Sequence, residues 1–489
     1  MHSYLYTSAQ ARELDQNATR LFGVPSYVLM QRAATTAAQF ALARWPLADN
    51  VAVFVGPGNN GGDGYLVALA LKQAGRSVTL FALHGVAPSK GDAQLAAQAW
   101  LAAGGQISAL QLDSARYDLI VDALFGIGLT RDLDAAAGAC VAWINQQPVP
   151  KFSLDIPSGL DADTGALRGC AVRATVSMCF IAHKLGLYTG AAADHCGELV
   201  FADLNLPADL LGTVSASAKL LQRGDLTLPR RARAAHKGSH GHVLVIGGDQ
   251  GFAGAVRLCG ESALRSGAGL VSVATRQEHA GALLAARPEL MVRAVQSTAD
   301  LADLAKKVSV LALGPGLGQA DWALSLFAWS LALGKPAVLD ADALNLLAAQ
   351  PRQLNESYVL TPHPGEAARL LGTCVSEVEK DRPHAVRELA RRYQAVVVLK
   401  GAGTLIGKPD GEISVCPFGN PGMASGGMGD VLTGVIAALM AQHLPAFEAA
   451  RIGVLSHALA ADAAALEGER GLLASDLFPH IRRLLNMHA

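Results

Sequence analysis

Short, unbroken apolar runs that stop at glycine or aspartate restrict the fold of this chain more than any other feature of its sequence. VAVFV (Val51–Val55) runs into GPGNNGGDG, LIV (Leu119–Val121) stops at Asp122, and Phe152–Leu154 stops at Asp155. Strands with one solvated face alternate apolar and polar residues. Strands that are apolar throughout suit a parallel sheet covered by helices on both faces. The intervening segments, such as Tyr65–Gln73, read as the helices of right-handed βαβ crossovers, with Ser77–Leu83 as the next strand.

The same pattern starts again in the second half. HVLVIGG from His242, LVSVAT from Leu270, VLALGPG from Val310, AVLDADALN from Ala337, YVLTPHPGE from Tyr358 and VVVLKGAGT from Val396 are strand-plus-loop units. Between the two series, around Leu211–Lys237, the periodicity weakens and Arg230, Arg231 and Arg233 cluster. Nothing aromatic or helical organises these arginines, so they read as a solvated linker and not a nucleic-acid patch. A chain of 489 residues exceeds the ~250–300 that one core supports. Two α/β domains are therefore expected, over residues 1–212 and 222–489, each with ligands at its strand carboxyl ends.

Composition narrows the function classes. A net charge of −1 favours neither nucleic acid nor an anionic membrane. The seven cysteines form no CxxC pair, so neither a zinc site nor a disulfide framework is suggested. The N-terminus lacks the apolar core of a signal peptide, and no run of ~18 uninterrupted apolar residues occurs, so a cytoplasmic protein without a membrane span is expected.

Two glycine-rich segments carry the chemistry. GPGNNG (Gly56–Gly61) satisfies the dinucleotide-binding pattern, but the strand at Ser77–Leu83 runs into His84 without the acidic residue that pattern requires. With Gly61, Gly62 and Gly64 around Asp63, the segment instead reads as backbone free to approach an anion at a helix N-terminus. Asn60, Asp122 and Ser158 offer oxygens that suit a hard cation, potassium among them, though spacing does not select the metal. In the second half, GGMGD (Gly426–Asp430) opens the apolar stretch VLTGVIAALM. That is an anion hole with a carboxylate placed to take a proton from a hydroxyl attacking a phosphoryl group. No Walker A motif occurs, so the phosphate chemistry belongs to another class.

VGPGNNGGDG, DALFGIGLTRD and LDIPSGLDADTG, together with the opening YTSAQARELDQ, resemble the signature loops of the YjeF N-terminal family, the NAD(P)H-hydrate epimerases, over roughly residues 1–210. The resemblance implies a Rossmann-like three-layer sandwich in which potassium is held by Asn60, Asp122 and Ser158. It implies a substrate site lined by Asn59, Asn60, Gly61, Gly62, Asp63, Gly126, Ile127, Gly128, Leu129, Thr130, Arg131, Asp132 and Asp155, with Asp155 as the acid–base group. Lys184 stands where that family usually carries a basic residue, preceded by His183 where a proline is usual.

SGGMGDVLTG resembles the anion-hole motif of the ribokinase-like superfamily. HKGSHGHVLVIGG, GFAGAVRLCGESALRSGAGL, LGPGLG, VLDADALN, LTPHPGE and LKGAGT are similar to its NAD(P)H-hydrate dehydratase branch, over roughly residues 225–489. This second resemblance implies another three-layer sandwich. Ala255, Gly316, His363 and Asp430 would contact the hydrated nucleotide. Lys400, Gly401, Ala402, Gly403, Thr404 and Gly429 would hold ADP, with magnesium present and Asp430 as base. Asp340 and Asp342 are either structural or help place the magnesium, and Phe252 stands where a tyrosine is frequent.

The expected function is repair of hydrated NADH and NADPH: epimerisation, then ADP-dependent dehydration to AMP and phosphate. The expected partners are NAD(P)HX, ADP and further copies of the chain in a homo-oligomer. A ribokinase-like small-molecule kinase fused to a binding module is the competing reading, and a non-enzymatic scaffold is a third.

Overall fold

The central strands form because their residues are apolar on both faces and meet helices on both sides. A computed structural model describes residues 3–109 and 116–487, and the chain divides into two compact units, Met1–Lys219 and Leu220–Ala489.

The first unit is built on seven parallel strands. Their spatial order is Ile107–Ala109, Ser77–Ala82, Asn50–Val55, Leu119–Ala123, Lys151–Leu154, Val176–Phe180 and Glu198–Ala202. Along Asn50–Val55, Val51, Val53 and Val55 face a cluster that includes residues of the helices Ser26–Arg44, Asn59–Gln73 and Gly91–Ala102. Ala52 and Phe54 point the other way, into a cluster with Ala137, Cys140, Val141 and Ile144 of the helix Ala135–Gln146. This is a three-layer sandwich. Each fully buried Val, Leu or Phe contributes roughly 1.5–3 kcal/mol relative to exposure. The strand order reverses between Asn50–Val55 and Leu119–Ala123, and at such a switch point the loops diverge and leave a crevice.

The glycine-rich segment is not a free loop, because the helix expected over Tyr65–Gln73 begins at Asn59. A Cβ on Gly61 would lie 1.9 Å from the Gly56 carbonyl oxygen, and one on Gly56 would lie 1.8 Å from that of Leu124. Glycine is required there because backbone crosses backbone.

In the second unit the parallel order is Val396–Leu399, Tyr358–Leu360, Ala337–Leu339, Val310–Leu313, His242–Ile246, Leu270–Thr275 and Met291–Ala294. The antiparallel strands Thr404–Gly407 and Ile413–Cys416 extend this sheet beyond Val396–Leu399. Met291–Ala294 and these two strands are absent from the sequence reading. Met291 and Ala294 are exposed, so an edge strand lacks the apolar signature of its central neighbours. Helix Met428–Ala441 is almost entirely buried. It packs against helix Ala253–Arg265 at Gly434, where a Cβ would lie 2.1 Å from the Cys259 carbonyl oxygen. The stretch Ala446–Glu467 is long and apolar enough by composition to cross a membrane, yet 67% of its most apolar window is buried within this structure. Its hydrophobicity faces the core of the second unit.

Candidate active sites

In the first unit a cavity of about 540 Å³ opens at the switch point. Asn59, Asn60, Asp63, Gly126 to Arg131 and Asp155 line it. Gly61 and Gly62 lie behind the wall, against Gly56 and Met30, and Asp132 lies beside Gly169. Asp155 has a left-handed backbone, φ 62°, a conformation that only a surrounding structure can impose on a non-glycine residue. Its carboxylate pairs with the Lys184 ammonium, which also donates to the Phe180 carbonyl at 2.8 Å. Burial alone would lower the pKa of Lys184, but Asp155 outweighs it and holds the ammonium above its ordinary value. Lys184 is thus held as a cation against Asp155.

Two more carboxylates face this pair. Asp63 is pushed well above the usual range, first by burial and then by Asp155 and Asp15. Asp15, on helix Ser8–Phe22, lines the same cavity. Burial, reinforced by Asp155 and opposed by Lys184 and Arg12, pushes it up to about 6. Sequence reasoning assigned Asp15 no role. It lies within the opening motif, but one acidic residue on an amphipathic helix gives no signal of the cavity it faces.

Asp122 and Ser158 are fully buried beneath the cavity floor. The Asp122 carboxylate accepts from Ser153 Oγ (2.8 Å), Ser158 N (2.9 Å), Ser158 Oγ (2.6 Å) and Leu124 N (3.3 Å). Burial pushes its pKa up against those hydrogen bonds, and no ion pair reaches it among the described residues. The side-chain oxygen and nitrogen of Asn60 are both buried without a hydrogen-bond partner. Such an orphaned amide is costly unless an unseen group satisfies it.

In the second unit the strand-end loops converge on the start of helix Met428–Ala441. Gly427 caps it with a left-handed backbone, and Asp430 sits in its first turn. Burial and the neighbouring Asp340, opposed by Lys400, push Asp430 up to about 7. Asp340 is buried, bonded to Lys400 Nζ at 2.8 Å and to Thr433 Oγ1 at 2.8 Å. Asp342 accepts from Gly318 N at 2.8 Å and from Asn345 Nδ2 at 3.3 Å. Both aspartates are engaged in contacts within the chain.

His363 caps helix Pro364–Leu371, its Nδ1 accepting from Gly365 N at 3.0 Å and its Nε2 lying 3.6 Å from Glu366. Burial, Lys400 and Arg369 lower its pKa, so the imidazole is neutral near pH 7. Ala255 stands in the first turn of helix Ala253–Arg265. Gly316 lies against Phe252, so that a Cβ on Gly316 would sit 2.5 Å from the Cβ of Phe252. Phe252 itself is exposed. Of the segment Lys400, Gly401, Ala402, Gly403 and Thr404, the lysine ammonium turns to Asp340. Gly401 and Ala402 are exposed, and Gly403 and Thr404 are half-buried. Arg382, buried and undetected from sequence, braces this segment through the carbonyls of Leu399 (3.3 Å) and Lys400 (3.1 Å).

These two sites define a two-domain α/β protein that joins a cavity at a Rossmann-like switch point to a ribokinase-like anion hole. The model of the YjeF-related protein N-terminus matches residues 26–186, and that of NAD(P)H-hydrate dehydratase matches 243–483. The chain is 48% identical to the bifunctional NAD(P)H-hydrate repair enzyme Nnr of Coxiella burnetii, over 99% of each chain. It is 45% identical to that of Escherichia coli, over 97% of this chain and 92% of the relative. A solved ribokinase-like superfamily protein from Enterococcus faecalis, 30% identical, superposes with a TM-score of 0.52 over 54% of this chain and 94% of its own. The chain belongs to the bifunctional NAD(P)H-hydrate repair enzyme family.

Proposed function

We propose that the first domain interconverts the R and S epimers of hydrated NADH and NADPH, and that the second dehydrates the S epimer with ADP, releasing AMP and phosphate. The observation that carries this reading is Asp430, half-buried at a glycine-opened helix start and titrating near neutrality. Such a group can accept a proton from a substrate hydroxyl at working pH.

Hydroxide is a poor leaving group, since bulk water has a pKa of about 15.7. Phosphorylating the ring hydroxyl turns it into a phosphate ester, and phosphate then departs together with a proton from the adjacent ring carbon, which restores the dihydronicotinamide ring. Asp430 takes the hydroxyl proton, and the backbone amides of Gly426 to Gly429 face the charge that develops on the phosphoryl oxygens. Of the segment Lys400–Thr404 and Gly429 expected to hold the adenine nucleotide, Gly401–Thr404 and Gly429 receive it, while Ala255, Gly316 and His363 contact the hydrated nicotinamide nucleotide. Magnesium, when bound with the nucleotide, neutralises phosphate charge. In the first domain Asp155 is the acid–base group of the epimerisation, and Lys184 holds that carboxylate in place.

The reading is tested by incubating the protein with both hydrate epimers. With ADP, both should be converted to NAD(P)H, with AMP and phosphate in equal amounts. Without ADP, the epimers should only redistribute. Accumulation of a phosphorylated alcohol would instead identify a small-molecule kinase.

We also propose potassium at Asn60, Asp122 and Ser158. Two observations support it: the orphaned Asn60 amide, and a buried Asp122 carboxylate with no ion pair among the described residues. A hard cation would take the Asn60 side-chain oxygen as a ligand and offset the Asp122 charge. Crystals soaked in thallium or rubidium should show anomalous density between these three residues. Density absent there, or a tetrahedral zinc-like site, would rule the reading out.

A further inference from the structure

Beneath the glycine-rich helix start lies a charge pair whose carboxylate is buried and whose ammonium is largely covered. The Asp340 carboxylate is clamped between Lys400 Nζ and Thr433 Oγ1, both at 2.8 Å. Thr433 belongs to the same helix as Asp430 and lies three residues on, so the two share one helix face. Gly429 rests on the pair: a Cβ there would lie 3.3 Å from Lys400 Nζ and 3.4 Å from Asp340 Oδ2. The backbone of each partner is pinned separately. Asp340 N donates to the Leu313 carbonyl at 3.0 Å, and Lys400 N donates to the Pro362 carbonyl at 2.9 Å.

We infer that Lys400 and Asp340 form a positioning pair for the dehydratase reaction, holding the first turn of helix Met428–Ala441, and with it the Asp430 carboxylate, against the transferring phosphoryl group. This rests on the dehydratase reading above and assigns Lys400 a different task from nucleotide binding. Its ammonium is committed to Asp340 and lies 3.9 Å from Glu366. A lysine free to meet a phosphate would not be buried between two carboxylates of its own chain.

The pair also acts on Asp430 through charge, and its members act in opposite senses. Asp340 favours the protonated form of Asp430, and Lys400 favours the ionised form. The other groups at this corner do not compete near neutrality. Cys259, on helix Ala253–Arg265, is a buried thiol held well above its usual pKa. His457, on helix Ala446–Ala464, is buried, lowered to about 4 and therefore neutral. Glu366 reaches the corner through Lys400, and His363 is neutral.

The test uses Asp340→Asn, Lys400→Met and the double variant in the full chain, with circular dichroism and the thermal unfolding profile as the control for folding. The pH profile of kcat for dehydration should rise through the ionisation of Asp430. Asp340→Asn should move that limb to lower pH and Lys400→Met to higher pH, each by about 1–3 pH units. The double variant should return it close to the parent's while kcat stays at least tenfold down, with KM for ADP changed less than threefold, in order-of-magnitude terms. The double variant removes both charges of the pair, and Glu366 keeps its hydrogen bond from His363 N, so it is the arm to read if either single variant fails to fold. Limbs that stay put or move in the same direction would overturn the inference. So would a KM for ADP raised about tenfold in the double variant, which would make Lys400 a nucleotide ligand. The Asp430 carboxyl can also be titrated by carbon-13 NMR, assigned against Asp430→Asn. The same opposed shifts are then read without turnover, so failure of the dehydratase reading and failure of this inference are told apart.

Discussion

Asp430→Asn should lower ADP-dependent dehydration by about 10²–10⁴-fold, the usual contribution of a positioned general base, and leave epimerisation unchanged. Asparagine keeps the size and the helix start but cannot take a proton from the substrate hydroxyl. The epimerase cavity lies in residues of the first unit, so its acid–base groups are untouched. Separate assays of the two activities on one purified protein check this. Equal loss of both in a folded variant would sink the two-site reading.

The same variant should be more stable than its parent at neutral and alkaline pH. Asp430 titrates near 7 in the folded protein and near ~3.9 in the unfolded chain. A raised folded pKa gives stability that is fully present below the unfolded value and is lost as pH rises through the folded one. Asparagine cannot ionise, so it avoids that loss. Thermal unfolding should show the variant's advantage growing between about pH 4 and about pH 7. Stability sacrificed for a reactive group is common at functional sites.

Asp155→Asn should remove epimerisation by a comparable ~10²–10⁴-fold and spare dehydration of the S epimer. It should also destabilise the chain by about 3–5 kcal/mol, because it leaves the Lys184 ammonium buried without its anion. Only 3% of the Lys184 side chain and 13% of that of Asp155 are exposed. The double variant Asp155→Asn/Lys184→Met removes both charges. It should recover most of the stability and none of the activity, a non-additivity that thermal unfolding and epimer assays measure together. Full epimerase activity in Asp155→Asn would shift the acid–base role to another carboxylate of the cavity wall, Asp15, Asp63 or Asp92.

Both sheets were legible in the sequence because their central strands are apolar throughout. Each of the six runs from His242 to Val396 that reads as a strand is one. The start of the first helix was not legible. Glycines normally weaken a helix, and Gly61, Gly62 and Gly64 stand at its beginning only because packing against Gly56, Met30 and Ala123 excludes any side chain. The edge strand Met291–Ala294 carries no apolar pattern because it buries little.

What the sequence determined by itself was local: which runs are strands, where glycine allows backbone to approach an anion, and which residues end each strand. Asp122, Asp155, Asp430 and the GNNGGDG and GGMGD segments were visible for that reason. Only the tertiary structure decided which residues meet from distant parts of the chain. It set Asp15 on the wall of the epimerase cavity, turned the Lys184 ammonium to Asp155, and paired Lys400 with Asp340 across a sequence separation of 60 residues. It also decided the charge states, since Asp430 titrates near 7 and Asp340 below its ordinary value within one cluster. The two aspartates are chemically identical in the sequence. Burial penalises both, but Lys400 is bonded directly to Asp340 and outweighs its burial, whereas for Asp430 burial and the charge of Asp340 prevail, and those differences exist only once the chain has folded.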